Sequence, residues 1–274
     1  MRANRRSAAG PLTAALAAAL AVLGLTVAAA QDGPAPARAP GYLGSNVPDP
    51  AVFIPPPPAA GSPAEAVDNA AFDSTRRLEG SARWLLATRD AALTPSAGLA
   101  DFQCAIGVSL TEANAPRLLA LITKMGRDTG TSVERGKDEY RRPRPLTVRP
   151  GAICVDNREA IGKSFSYPSG HSTWGWSVAL ILSELAPDRA GQILARGRAY
   201  GESRVVCGVH YVSDVEAGRS NGAGLVAALH ADGAFQADMA AARAELSALR
   251  AGGSGPAAGA QCDVQSLASA QTPW

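Results

Sequence analysis

Lysine and histidine are scarce in this chain. There are three lysines, Lys124, Lys137 and Lys163, and three histidines, His171, His210 and His230. Charge of one sign is missing too: 26 Lys+Arg stand against 24 Asp+Glu. A chain without a basic excess is not built to neutralise a phosphate backbone, so nucleic acid is not an expected partner. Beyond the first thirty residues no run is apolar for long enough to cross a bilayer, and stable membrane insertion is not expected. No stretch alternates apolar and polar residues over any length, and no internal repeat appears, which argues against a sheet or a solenoid. Cysteine is sparse at four, and no two have the spacing of a zinc site.

What the chain does have begins with 274 residues, enough for one domain with a sizeable core. Residues 1–30 have the layout of a secretory signal peptide. Arg2, Arg5 and Arg6 form a charged start, Leu12 to Val27 an Ala/Leu-rich apolar stretch, and Ala28-Ala29-Ala30 a small-residue cleavage site. Cys104, Cys154, Cys207 and Cys262 are then an even set in an exported protein, which suggests two disulfides. Three pairings are open. Cys154 and Cys207 both lie close in sequence to the chemistry-bearing segments described below, which favours Cys154–Cys207 with Cys104–Cys262.

Residues 31–63 are rich in Pro, Ala and Gly and end near Pro55-Pro56-Pro57-Pro58. They read as an extended arm, neither helix nor sheet. Ser62-Pro63-Ala64-Glu65 is a helix start: a capping serine, a proline at the first helical position and an acidic first turn. Helical patterns follow at about 78–93, 96–108 and 111–128, with a further short helix leading to Lys137. Residues 146–166 read as a connecting loop. Helices resume at about 172–185, 188–201, 213–231 and 234–249. Residues 251–274 read as a loosely packed tail. The expectation is an all-α, single-domain helical bundle over residues 64–250.

Three segments carry chemistry. Ser166-Tyr167-Pro168-Ser169-Gly170-His171-Ser172 places a hydroxyl, a glycine and a histidine where the apolar helical pattern beginning at Thr173 starts. Free N–H groups and the helix dipole favour an anion there. Lys137 and Arg144-Pro145 lie upstream, with six residues between them. Downstream, Arg204 precedes His210 with five residues between, and Asp214 follows His210 with three between. Each piece alone has an ordinary alternative, a helix cap, a surface ion pair or a satisfied structural histidine.

Taken together, Lys137/Arg144-Pro145, Pro168-Ser169-Gly170-His171 and Arg204/His210/Asp214 resemble the three-part signature of the phosphatidic acid phosphatase type 2 superfamily, which joins bacterial acid phosphatases, lipid phosphatases and vanadium haloperoxidases. The likeness runs from about Tyr42 to Leu249 and is strongest to the class A nonspecific acid phosphatases of the bacterial periplasm. It extends to Asp90-Ala91, Gly201-Glu202-Ser203-Arg204 and Val206-Cys207-Gly208. It implies an all-α fold of the acid phosphatase/vanadium haloperoxidase type, an N-terminal arm lying against the helical body, and a periplasmic or secreted bacterial enzyme. Two positions depart from the class pattern: Phe165 stands where glycine is usual and Ser172 where threonine is usual. Both bear on the pocket wall more than on mechanism.

The resemblance also assigns roles, and the residue chemistry agrees with them. Arg144 and Arg204 can grip phosphate oxygens with fork geometry, and Lys137 adds a point charge. Ser169 and the Gly170 N–H add hydrogen bonds. His210 is the expected nucleophile, oriented by Asp214 through Nδ1, with His171 as acid and then base. His230 receives no role, and Arg141 and Arg142 none beyond widening the positive field. The expected activity is broad-range hydrolysis of phosphate monoesters through a phosphohistidine. No metal and no cofactor are required, and vanadate is expected as an inhibitor. A vanadium-dependent haloperoxidase is one alternative, although those chains are typically much longer. A phosphotransferase or a soluble lipid-phosphate phosphatase using the same site is another. The expected partners are small phosphate esters, with room for a homo-oligomer.

Overall fold

The structure is a computed structural model that describes residues 39–253 and 255–274. The expected signal peptide and the first part of the Pro-rich arm lie outside the described residues. Among the described residues there is no strand, and the chain is all-α. The helices are α1 (Pro50–Phe53), α2 (Pro63–Arg76), α3 (Ala82–Arg89), α4 (Pro95–Ile106), α5 (Pro116–Tyr140), α6 (Pro145–Val148), α7 (Arg158–Gly162), α8 (Gly170–Leu185), α9 (Ala190–Val206), α10 (Val212–Leu229), α11 (Gly233–Ala251) and α12 (Cys262–Ala270). None is long and apolar enough to cross a membrane.

The bundle is assembled around α8. Its Val178, Ala179, Ile181 and Leu182 are fully buried and join Leu99, Phe102, Leu118, Leu121, Ile122, Met125 and Leu225 in the main core. Backbone contact between α8 and α10 is unusually close. A Cβ at Gly218 would lie 2.6 Å from the Ser169 carbonyl oxygen, and one at Gly222 2.6 Å from the Thr173 carbonyl oxygen. Only glycine allows that approach along the middle of α10, and the Ser169 N–H, 3.0 Å from the Asp214 carbonyl, ties the start of α8 to the start of α10. These two helix starts carry the central and downstream segments of the sequence signature.

Four sequence-based expectations change. The separate helices over 111–128 and before Lys137 are one helix, α5. Its buried stripe passes from Leu118, Leu121, Ile122 and Met125 into Thr129, Ser132, Val133 and Gly136. Packing of these small and polar residues outweighs the propensity cost of Gly126 and Gly130, about 1 kcal/mol each. The loop over 146–166 holds the end of α6 and all of α7. The arm contains α1, capped by Asp49, whose carboxylate accepts the Ala51 N–H at 3.0 Å. The arm does lie against the bundle: Val47 and Ile54 are buried, and Tyr140 Oη donates to the Ile54 carbonyl at 3.2 Å. The tail is not loose. It forms α12, which packs against α3 and α9. The Cys104–Cys262 disulfide ties it to α4. Gly/Ala/Ser composition hid a helix that tertiary contacts and a cross-link stabilise.

The second disulfide, Cys154–Cys207, joins the 150s loop to the turn after α9. Both bridges are therefore the pairings favoured from sequence position.

Candidate active site

Three turns converge on one buried cluster of charged and polar side chains. The first is the end of α5. Arg141 adopts φ +43°, a left-handed conformation rare outside glycine, and reverses the chain. The reversal sends Arg142 and Arg144 inward, and Pro145 then opens α6. The second is the cis Tyr167–Pro168 peptide leading into α8, where Ser169 is the N-cap. The third is the turn from α9 to α10, which carries Arg204, His210 and Asp214.

His210 is held by two groups, and they fix its tautomer. Arg144 Nη1 donates to His210 Nε2 at 3.0 Å. A guanidinium can only donate, so Nε2 carries a lone pair and Nδ1 carries the proton. Nδ1 lies 3.3 Å from Asp214 Oδ2, within reach of a donated hydrogen bond. Burial, then Arg144, Arg204 and Lys137, push the His210 pKa well below the ordinary histidine range. The ring is a neutral imidazole with an unprotonated Nε2.

Asp214 is fully buried and saturated. Its Oδ1 accepts from Arg142 Nη1 at 2.6 Å, and its Oδ2 accepts from the Tyr211 N–H at 2.8 Å and from the Ser166 hydroxyl. Burial raises its pKa, while Arg142 and the Ser166 and Tyr211 hydrogen bonds oppose the rise. Arg142 also reaches Asp68 Oδ2 at 2.8 Å and Ser213 Oγ at 2.7 Å. The sequence reading gave Arg142 no role; here it bridges two buried carboxylates, one of them the partner of His210. Its position between Lys137 and Arg144 was the only signal that could have found it. Asp68, on α2, lay far from every motif. Ser166 lay inside the central segment but carried no assigned role.

His171 belongs to the same cluster, within the electrostatic reach of Arg204, His210 and Arg144. Its Nε2 lies 3.1 Å from the Ala91 carbonyl oxygen, which can only accept, so Nε2 is the N–H. Nδ1 is thereby left with the lone pair of the neutral ring. The ring is stacked on Tyr200, with centroids 6.4 Å apart. Burial, then Arg204, drive its pKa well below the ordinary value, with the Ala91 hydrogen bond opposing.

Arg144 and Arg204 are buried cations. Arg204 is 3% exposed, and its Nε and Nη1 have no hydrogen-bond partner. Buried, unpaired guanidinium N–H groups are costly and call for an acceptor. Burial pushes both Arg144 and Arg204 down to about 10, so both stay charged at neutral pH. Ser169 Oγ accepts from Ser172 Oγ at 3.0 Å and from the Ser172 N–H at 3.4 Å, leaving its own O–H to donate. A Cβ at Gly170 would meet only Val133, at 3.4 Å, so protein packing does not itself demand glycine there. Lys137 is mostly buried and pairs with Glu134 at 2.8 Å. Its charge acts on His210 at longer range. The structure thus brings the sequence-selected residues together in one cluster. His230 lies apart, paired with Glu184.

Buried arginines beside a helix start in an all-helical bundle offer the donors that a tetrahedral oxyanion would take. Comparison with known proteins places the chain more closely. The pattern of the PAP2 superfamily matches residues 117–236, a span that contains all three signature segments. The chain is 48% identical over 203 residues to an acid phosphatase of Zymomonas mobilis, covering 74% of this chain and 77% of that one. It is 38% identical to a non-specific acid phosphatase of Providencia stuartii, covering 74% and 82%. A non-specific acid phosphatase of Salmonella typhimurium is 35% identical, with 71% and 78% covered. The chain belongs to the PAP2 superfamily, alongside these bacterial acid phosphatases.

Proposed function

We propose that this protein is an exported acid phosphatase that hydrolyses a broad range of phosphate monoesters through a phosphohistidine on His210, without a metal ion. The observation that carries the reading is the pairing of an unprotonated His210 Nε2 with unpartnered, buried Arg204 N–H groups. One supplies an attacking lone pair and the other unmet demand for an oxyanion.

Phosphoryl transfer asks the protein mainly for position and charge. Arg204, Arg144, Lys137, the Ser169 hydroxyl and the Gly170 N–H take the non-bridging oxygens. Arg144 exchanges its bond to Nε2 for one to phosphate, which frees the lone pair. Nε2 attacks phosphorus while the bond to the ester oxygen breaks, and His171 Nδ1 delivers a proton to the departing alkoxide. Asp214 stabilises the positive charge that builds on the His210 ring. The neutral His171 then takes a proton from water, whose oxygen attacks phosphorus and releases His210. The incoming ester is anionic and counteracts the field of Arg204 and Arg144 on His171, so substrate itself favours the protonated acid. Three cations surround the phosphate position and supply the charge a divalent metal would otherwise bring. The two disulfides suit an oxidising compartment.

The test is rapid acid-free quench with labelled substrate, followed by peptide mapping under conditions that preserve phosphohistidine. Label should appear on the peptide containing His210 and be absent in His210→Ala. His171→Ala should still form phosphoenzyme and should favour nitrophenyl phosphate over alkyl phosphates. Label on the His171 peptide, or normal labelling of His210→Ala, would refute the assignment.

A further inference from the structure

The Ala91 carbonyl that fixes His171 lies at the start of an exposed connector. Ala92, Leu93 and Thr94 are exposed, and Leu93 is 46% so. A connector of this kind does not by itself hold one atom within hydrogen-bond distance of a buried ring. Its anchor is the preceding residue. Asp90 is fully buried and ends α3. Its carboxylate is gripped by Arg196, with Nη2 to Oδ1 at 2.6 Å and Nη1 to Oδ2 at 3.1 Å. The Ser203 hydroxyl also donates to Oδ2, and Arg83 Nη1 donates to Ser203 Oγ at 2.9 Å. Arg196 is itself locked, with Nε donating to the Asp101 carbonyl at 3.0 Å and to Gln265 Oε1 at 3.2 Å.

Arg196, Tyr200, Ser203 and Arg204 all lie on α9. That helix therefore carries a phosphate ligand, the ring stacked on His171 and both groups that hold Asp90. A bidentate, buried arginine–carboxylate pair is among the most directional contacts a protein has. Its position, one residue before the carbonyl, transmits the placement of α9 to the His171 Nε2–H.

We infer that Asp90, clamped by Arg196 and Ser203, is a positioning residue for the leaving-group acid: it aims the Ala91 carbonyl so that His171 keeps its proton on Nε2 and presents Nδ1 to the departing oxygen. The inference rests on His171 acting as that acid. Asp90 does not touch the substrate, and its effect should appear only where proton delivery limits the rate.

The experiment compares kcat/KM for nitrophenyl phosphate, whose leaving group needs little protonation, with that for an alkyl phosphate such as ethyl phosphate. Wild type, His171→Ala, Asp90→Asn and Ser203→Ala are measured together, and thermal melts establish that each is folded at the assay temperature. Asp90→Asn should lose about 10–100-fold on ethyl phosphate, the low end of a general-acid contribution, and less than about threefold on nitrophenyl phosphate. Ser203→Ala keeps the Arg196 pair and should show a smaller loss of the same selectivity; it carries the test if Asp90→Asn does not fold. Equal losses on both esters, or none on either, in the folded variant would overturn the inference. His171→Ala separates the two levels. If it too lacks leaving-group selectivity, the reading of His171 as acid fails; if it alone shows the selectivity, only the role of Asp90 fails.

Discussion

Replacing Arg142 by methionine should damage stability and catalysis together, and the structure gives the size of each. Methionine keeps an unbranched stem beside Tyr211, over whose ring the guanidinium now sits at 4.2 Å. It removes the donors to Asp68, Ser213 and Asp214 and leaves two buried carboxylates without their cation. Breaking a buried ion pair from one side costs about 3–5 kcal/mol. For a domain of this size each kcal/mol moves Tm by about 2–4 °C, so the lower bound is a fall of roughly 6–12 °C. Loss of an orienting carboxylate outright costs a triad enzyme about 10⁴ in kcat. Here Asp214 remains but loses one of its holders, and a fall of about 10² in kcat is expected.

The pH dependence has a definite sign. Burial already raises the Asp214 pKa, and Arg142 opposes that rise. In Arg142→Met the folded-state pKa climbs further above the unfolded value. A carboxyl raised in this way favours the folded state when protonated and opposes it when ionised. The stability deficit should therefore be largest at neutral pH and shrink as pH falls through the raised Asp214 pKa. Calorimetric Tm values from pH 4 to 8, with single-turnover rates of phosphoenzyme formation, test this. A Tm within about 2 °C of wild type, or a deficit that grows on acidification, would refute the reasoning.

Other outcomes follow from the same geometry. Activity should peak in mildly acidic solution: the lowered His210 pKa keeps the nucleophile neutral there, while rising pH strips the proton from His171, whose own pKa is lowered. A kcat/KM profile that rises steadily to alkaline pH would contradict this. Phosphatase activity should survive exhaustive EDTA dialysis, and vanadate should compete with the ester; loss of activity restored only by a divalent ion would remove the metal-free mechanism. Thiol titration of the denatured, unreduced protein should find no free cysteine. Reduction of Cys154–Cys207 should lower kcat, since that bridge and the Cys154 N–H, 3.1 Å from the Cys207 carbonyl, hold the turn between Arg204 and His210. Unchanged kcat after verified reduction would count against that role.

The candidate site residues were legible without coordinates. Lys137, Arg144, Ser169, Gly170, His171, Arg204, His210 and Asp214 are picked out by their likeness to a family signature, and the helix start and the i, i+4 separation of His210 and Asp214 are local geometry that agrees with it. The all-α class was equally legible, since apolar periodicity in α8 is a property of consecutive residues. What holds those residues was not legible. Arg142 bridges Asp68 on α2 and Asp214 on α10, and Asp90 meets Arg196 from another helix; such pairings join residues 72 to 106 positions apart. The continuity of α5 past Asp128 depended likewise on contacts such as Ser132 with Asn221, 2.8 Å away on α10. The order in α12 depended on a disulfide across 158 residues. The signature marks which groups are candidates for the chemistry. The tautomers of His171 and His210 were set only when folding brought the Ala91 carbonyl and the Arg144 guanidinium against their rings, because a histidine proton goes to the nitrogen that faces an acceptor.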